Sequence, residues 1–207
     1  LFFDNSCTCC GEKASDNLIY LCYNCLDKIV RQKSLNKVGD TYYIWPYKGE
    51  FRKLLLEYKN NSRLALGKII SSLIEEEIFK VVYEEDIDYI VPIPINFRRE
   101  QIRGFNQVEE ILKNLNYSFL KTNRVKNTKK MFKILDKEKR ENNIKNSFKV
   151  DKEFKAKNIL IFDDIITTGA TIEEFKRELI KNGEVNKIVV FSLSASKTYM
   201  NSNKRMC

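Results

Sequence analysis

The most concentrated chemistry in this chain lies in the stretch ILIFDDIITTGAT, residues 159–171. An apolar run leads into two adjacent carboxylates, Asp163 and Asp164, and then into a turn of three threonines around Gly169. Successive strand side chains point to opposite faces. Neighbouring acids at a strand end therefore suit two different hydroxyls, or one hydroxyl and the surroundings of a cation, better than one shared acid–base dyad. The turn Thr167-Thr168-Gly169-Ala170-Thr171 offers backbone N–H groups and hydroxyls at a helix start, where the helix dipole favours an anion. Glycine there lets the backbone approach that anion with no Cβ in the way. The stretch reads as acids for a ribose diol and a cradle for its 5′-phosphate; the plainer alternative is a threonine-capped helix after an acidic turn.

A second group of reactive residues sits at the other end. Five of the six cysteines fall within the first twenty-five residues, in CTCCG and LCYNC. Cys7 and Cys10, then Cys22 and Cys25, form two C-x-x-C pairs, and two such pairs can turn four thiolates toward one Zn²⁺ with Zn–S bonds of ~2.3 Å. Zinc suits tetrahedral thiolate ligation because it is redox-inert. Gly11 can supply the positive φ that such a knuckle often needs. Disulfides are the alternative, disfavoured where thiols stay reduced. Cys9 and Cys207 are expected to be bystanders. A four-thiolate site has no open position, so its role is structural. It would fold a finger of residues 1–40 that has little core of its own, leaving residues 41–207 as the main domain.

The chain has no histidine, which removes histidine-based nucleophile activation, histidine metal ligation and the commonest general base. Arg98, Arg99 and Arg103 cluster after an expected strand end, where guanidinium forks could hold a pyrophosphate or a nucleic-acid backbone. Asn106 is placed as an N-cap, a purely structural role in itself. Gln107 could read a ligand or lie on the surface.

The net charge is +9. Between Lys121 and Lys157 fourteen Lys and Arg face five Asp and Glu, and the remainder holds twenty-three of each sign, so this one segment carries the imbalance. Such a local field attracts nucleic acid or phosphorylated ligands; a solvated lysine-rich face is the alternative. The segment is poor in the aromatics that a single-strand stacking platform uses.

These groups need elements to position them. Leu54, Leu55 and Tyr58, and then Leu64, Leu66, Ile69, Ile70, Leu73 and Ile74, recur at helical spacing and are expected in the core. TYYIWPY (41–47) reads as a short strand or a linker, DYIVPIP as a buried strand stopped by Pro92 and Pro94, and SFLK as a short strand. NQVEEILKNL reads as a helix. NILIF is apolar on consecutive positions, as strands buried on both faces are. A helix over ATIEEFKRELIK closing at Gly183 and the strand KIVVFSLSAS follow. Alternating strands and helices give an α/β fold with a mostly parallel sheet flanked by helices, and ligands of such sheets bind beyond the carboxyl strand ends. No stretch approaches a membrane span and no signal-peptide pattern opens the sequence, so a soluble, cytoplasmic protein without membrane insertion is expected.

ILIFDDIITTGAT resembles the PRPP-binding signature of type I phosphoribosyltransferases. The resemblance implies that Asp163 and Asp164 take the 2′ and 3′ hydroxyls, that Thr167, Thr168, Gly169, Ala170 and Thr171 hold the 5′-phosphate, and that Mg²⁺ accompanies the pyrophosphate. VPIPINFRREQIRGFNQVEEI resembles the V-P-x-P…R…R-G-F-N-Q segment of the ComF family of competence proteins, which joins a four-cysteine finger to a phosphoribosyltransferase-like domain. YKGEFRKLLLEYK and KRENNIKNSF are similar to its patterns too. Where that family often has T-x-x-Q, this chain has Thr128-Lys129-Lys130-Met131. The resemblance implies a factor for natural transformation that handles incoming single-stranded DNA, binds PRPP or a similar ligand, and can meet other competence proteins. A working phosphoribosyltransferase with an unidentified base or amine acceptor, and a zinc-stabilised adaptor without catalysis, are the other readings.

Overall fold

The computed structural model describes residues 5–60, 63–125, 145–150 and 153–203. Thr128 to Met131 and most of the basic segment lie outside the described residues. The element order is α1 (Tyr23–Arg31), β1 (Asn36–Val38), β2 (Thr41–Pro46), α2 (Gly49–Asn60), α3 (Leu64–Glu84), β3 (Tyr89–Pro92), α4 (Phe97–Arg103) and α5 (Gln107–Asn114). It continues with β4 (Asn123–Arg124), β5 (Phe148–Lys149), β6 (Phe154–Ile166), α6 (Ala170–Lys181), β7 (Gly183–Ala195) and α7 (Lys197–Asn203).

Five strands form one sheet in the order β1-β2-β7-β6-β3. The last four run parallel, and only β1 at the edge is antiparallel. The expected α/β class with a mostly parallel sheet is what the chain adopts. Ile159, Leu160, Ile161 and Phe162 are all buried because both faces of β6 are covered. One face carries Leu160, Phe162, Phe191 and Leu193 against α2, α3 and α5. The other carries Ile159, Ile161 and Val190 against Ile172, Phe175 and Leu179 of α6. Each such side chain contributes about 1.5–3 kcal/mol by leaving water.

Several local expectations change. TYYIWPY supplies β2, an interior strand whose residues 41–45 are all buried, because it pairs with β7 on one side and β1 on the other. SFLK is not a strand; only Leu120 reaches the sheet edge, donating its N–H to Ile90 O at 2.9 Å, and the strand falls instead at Asn123–Arg124. Leu64 is exposed, since it starts α3 before that helix reaches the core. Gly183 opens β7 with φ +142°, and α6 ends on Asn182. A Cβ at Gly183 would run into the Phe154 backbone, with which Gly183 is paired. Among the described residues no helix is long and apolar enough to cross a membrane.

The cysteine-rich segment is not loosely attached. Cys7, Cys9, Leu21, Cys25 and Ile29 belong to the same buried cluster as Trp45, Phe51 and Leu54. Trp45 stacks on Phe51 at 4.0 Å and donates its indole N–H to Ile29 O at 2.9 Å. Cys9, expected to be a bystander, is buried at this seam, where its thiol donates to Glu50 O and its own carbonyl accepts from Lys53 Nζ at 2.7 Å.

Gly183→Ala combines a positive φ with a backbone collision, and is expected to cost on the order of 2–3 kcal/mol. Urea unfolding checks this; a midpoint equal to that of the parent chain would contradict the close approach.

Candidate functional site

The carboxyl ends of the parallel strands converge on one edge, and the chain leaves that edge through short capped turns. After β3, Asn96 caps α4 by accepting the Arg98 N–H at 3.0 Å. Asn106 caps α5 by accepting the Val108 N–H at 3.2 Å, and its amide also donates to Glu109. After β6, Gly169 stands at φ +81° as the residue before α6. Side chains are short or absent at these turns because backbone N–H groups must be satisfied locally or left facing the edge.

Asp163 and Asp164 lie inside the last paired turn of β6 rather than beyond it, since Ile165 and Ile166 still pair with Ser194 and Ala195. Their side chains go to different surroundings. Asp164 is buried; its Oδ2 meets Lys59 Nζ at 2.7 Å and also accepts from Gln107 Nε2. Gln107 in turn accepts from Arg103 Nη1, so the buried amide links a guanidinium to the carboxylate. Asp163 is half-buried and its Oδ1 accepts the Asp164 N–H at 2.8 Å. Burial, and then the adjacent Asp164 charge, push the Asp163 carboxyl up to about 7, against the pull of Lys59 and Arg124.

The three arginines divide. Arg98 is exposed, whereas Arg99 and Arg103, one helical turn apart, are half-buried and feel the Asp164 charge. Burial lowers both of their pKa values. Arg124 joins them: its guanidinium lies 5.2 Å from the Phe148 ring centre, and burial, followed by repulsion from Arg99, lowers it to about 10. Lys59, Arg99, Arg103 and Arg124 therefore surround two carboxylates, an excess of positive charge in a half-buried recess that favours an added anion.

Thr167 to Thr171 form the turn into α6. Among the described residues none accepts a hydrogen bond from the N–H groups of Thr168, Gly169 or Ala170. Thr167 O accepts from Ser196 Oγ at 2.6 Å, and the Tyr199 ring sits 3.3 Å from where a Gly169 Cβ would be, so α7 braces the turn from behind. Tyr199 is held by donating to Thr41 Oγ1 at 2.9 Å.

Sequence reasoning missed Lys59 and Arg124. Lys59 lay in YKGEFRKLLLEYK, where a lone cation ends a run of buried residues, and Arg124 lay in the basic segment. Gln107, left open between ligand contact and surface, is buried on Asp164.

At the other end of α2, the Sγ atoms of Cys7, Cys10, Cys22 and Cys25 all lie within 4.8 Å of one another. Cys10 and Cys22 Sγ are 3.7 Å apart, close to the ~3.8 Å edge of a tetrahedron with Zn–S bonds of ~2.3 Å. Gly11 has φ +83° and donates its N–H to Cys7 O at 2.9 Å, closing the first knuckle, while the second opens α1. Burial alone would push the Cys7 thiol up, yet the backbone amides of Cys10, Cys9 and Cys22 hold it down to about 6. Burial and the neighbouring thiols push Cys25 up. Four thiols gathered so closely fit a metal such as zinc, with no position left open for a reaction.

No protein-family model matches the chain. It is similar to DNA utilization protein YhgH of Escherichia coli K12, at 26% identity over 186 residues, covering 86% of this chain and 78% of that protein. Competence protein F of Haemophilus influenzae is 27% identical over 202 residues, covering 89% and 83%. Competence protein ComFC of Streptococcus pneumoniae is 30% identical over 161 residues, covering 72% and 66%. The chain is a homologue of these ComF-type competence and DNA utilization proteins. Among solved structures, a hypoxanthine phosphoribosyltransferase from Staphylococcus aureus aligns over 64% of this chain and 66% of its own, with a TM-score of 0.40 and 13% identity.

Cys7→Ser is expected to abolish stoichiometric metal binding and to lower the melting temperature, because a metal on the four thiols would tie the two knuckles of the finger together. Elemental analysis with a thermal melt checks this; full metal content in the variant would remove Cys7 from the ligand set.

Proposed function

We propose that this chain is a ComF-type factor that binds PRPP with Mg²⁺ between the carboxyl end of β6 and the amino end of α6, and that it serves DNA utilization or natural transformation. The observation that carries the reading is the juxtaposition of Asp163 and Asp164 with an α6 entry turn in which the N–H groups of Thr168, Gly169 and Ala170 meet no acceptor among the described residues. The acids would take the 2′ and 3′ hydroxyls, and Thr167 to Thr171 the 5′-phosphate. Arg99 and Arg103 would meet the pyrophosphate, with Arg98 further out, and Mg²⁺ would neutralise the same group. The cysteine cluster would hold Zn²⁺ and keep the finger folded. The charge surplus between Lys121 and Lys157 would attract single-stranded DNA by counterion release. The competence role rests on the names of the relatives, and other competence proteins are the partners it suggests.

Ligand binding is the better supported half. Stabilising a departing pyrophosphate needs guanidinium groups and a metal ion, which this edge could gather; an acceptor for the ribosyl group is a separate requirement.

Calorimetric titration with Mg²⁺ and PRPP should give saturable one-site binding to the parent chain, and none when Asp163→Asn is combined with Asp164→Asn. Because burial and the Asp164 charge push the Asp163 carboxyl up to about 7, binding that needs its carboxylate should weaken as pH falls through that range. Unchanged affinity in the double variant would refute the diol assignment. Neutralising Arg99 and Arg103 should cost more affinity than neutralising Arg98; equal losses would count against the inward pair. For DNA, an oligothymidylate should bind with an affinity that falls steeply with salt, and a flat salt dependence would remove the nucleic-acid part.

A further inference from the structure

Helix α2 begins beside the cysteine cluster and ends on Tyr58 and Lys59 at the carboxylates. The side chains of Lys59 and Asp164 are only 18% and 7% exposed. Lys59 Nζ and Gln107 Nε2 both engage Asp164 Oδ2, and among the described residues nothing donates to Asp164 Oδ1. Two donors on one oxygen fix the plane of the carboxylate and leave its other oxygen with acceptor capacity.

The position of Lys59 is itself over-determined. Tyr58 is fully buried and its hydroxyl donates to Gln107 O at 2.9 Å. Its ring lies 5.3 Å from that of Phe105 and presses on Gly67, where a Cβ would come within 2.9 Å of it. Gly67 of α3 thus lets Tyr58 seat, and the seated Tyr58 aims the next residue at the strand end. A surface lysine needs no such support.

We propose that Lys59 is a positioning residue for the diol-binding carboxylates: it pins Asp164 through Oδ2 so that Oδ1 meets a ribose hydroxyl, and its charge offsets that of the two adjacent acids. This inference rests on the PRPP reading above. The groups facing the acid pair are Lys59 and Tyr58 of α2, Tyr47 just after β2 with Arg52 beside its ring, Arg99 and Arg103 of α4, and Arg124 of β4. Lys59 and Arg124 are the cations that favour ionised Asp163. Arg124 remains when Lys59 is changed, so a Lys59 variant isolates one charge.

The test is calorimetric titration with Mg²⁺ and PRPP across the neutral pH range, on the parent chain, Lys59→Gln and Lys59→Arg, with metal content and thermal melts alongside. Lys59→Gln should weaken binding at neutral pH by at least about tenfold, since a buried hydrogen-bonded charge loses its partner. The pH below which its binding fails should also move upward, because the acids then share less positive charge. Lys59→Arg should keep the parent pH limit while losing part of the affinity through its different reach. An unchanged affinity in Lys59→Gln, or a loss that is uniform across pH, would overturn the positioning role; if Lys59→Gln does not fold, a shifted pH limit in Lys59→Arg would do so. A parent chain that fails to bind PRPP would overturn the functional reading and this inference with it, an outcome distinct from a parent chain that binds and a variant that behaves identically.

Discussion

Two carboxylates on consecutive residues at the end of a buried strand repel each other and lose hydration, and the architecture around β6 answers that cost. Leaving one such charge buried without a partner would be worth several kcal/mol against folding. Lys59 comes from a helix before the sheet's second strand pair is complete, Gln107 and Arg103 from the capped segments after β3, and Arg124 from the two-stranded β4–β5 pair. Three separated pieces of sequence are thus drawn to one pair of acids. The cations exceed the acids in number, and the excess favours an added anion there.

The cysteine cluster bears on the same place through α2. The finger packs on the start of this helix through Cys9, Lys28, Glu50 and Lys53, and Tyr20 lies under the Arg63 guanidinium at 4.2 Å. The helix then runs some ten residues to Lys59. A rigid helix transmits position more faithfully than a loop, so a folded finger fixes one end of the rod whose other end holds Asp164. The contacts between the finger and α2, together with the β1–β2 hairpin, cross residue 40 and make one continuous buried cluster.

Much of this was legible in the sequence wherever a single local pattern decided it. Four consecutive apolar residues before Asp163 required a strand covered on both faces, and the C-x-x-C pairs required four thiols that could meet. The helices over NQVEEILKNL and ATIEEFKRELIK followed from apolar spacing, the first with Asn106 as its cap. What local patterns could not carry was anything set by partners distant in sequence. TYYIWPY became an interior strand because β7, almost 150 residues later, lies beside it. SFLK had strand-like residues but no neighbour to pair with beyond one bond to Ile90. Lys59 and Arg124 looked like any other surface cations in a lysine-rich chain, because the acids they face are 105 and 39 residues away in the sequence. Arg98, Arg99 and Arg103 were indistinguishable as a cluster until helical spacing turned the last two inward.

On the proposed function, the β6–α6 edge holds a phosphoribosyl ligand by its diol and its 5′-phosphate at once. A crystal structure of the complex with Mg²⁺ and PRPP tests it most directly. The 5′-phosphate should lie on the N–H groups of Thr168 to Thr171 and the ribose hydroxyls on Asp163 and on Asp164 Oδ1, with Lys59 still on Oδ2. A ligand lying elsewhere on the surface, with Thr167 to Thr171 uncontacted, would contradict it.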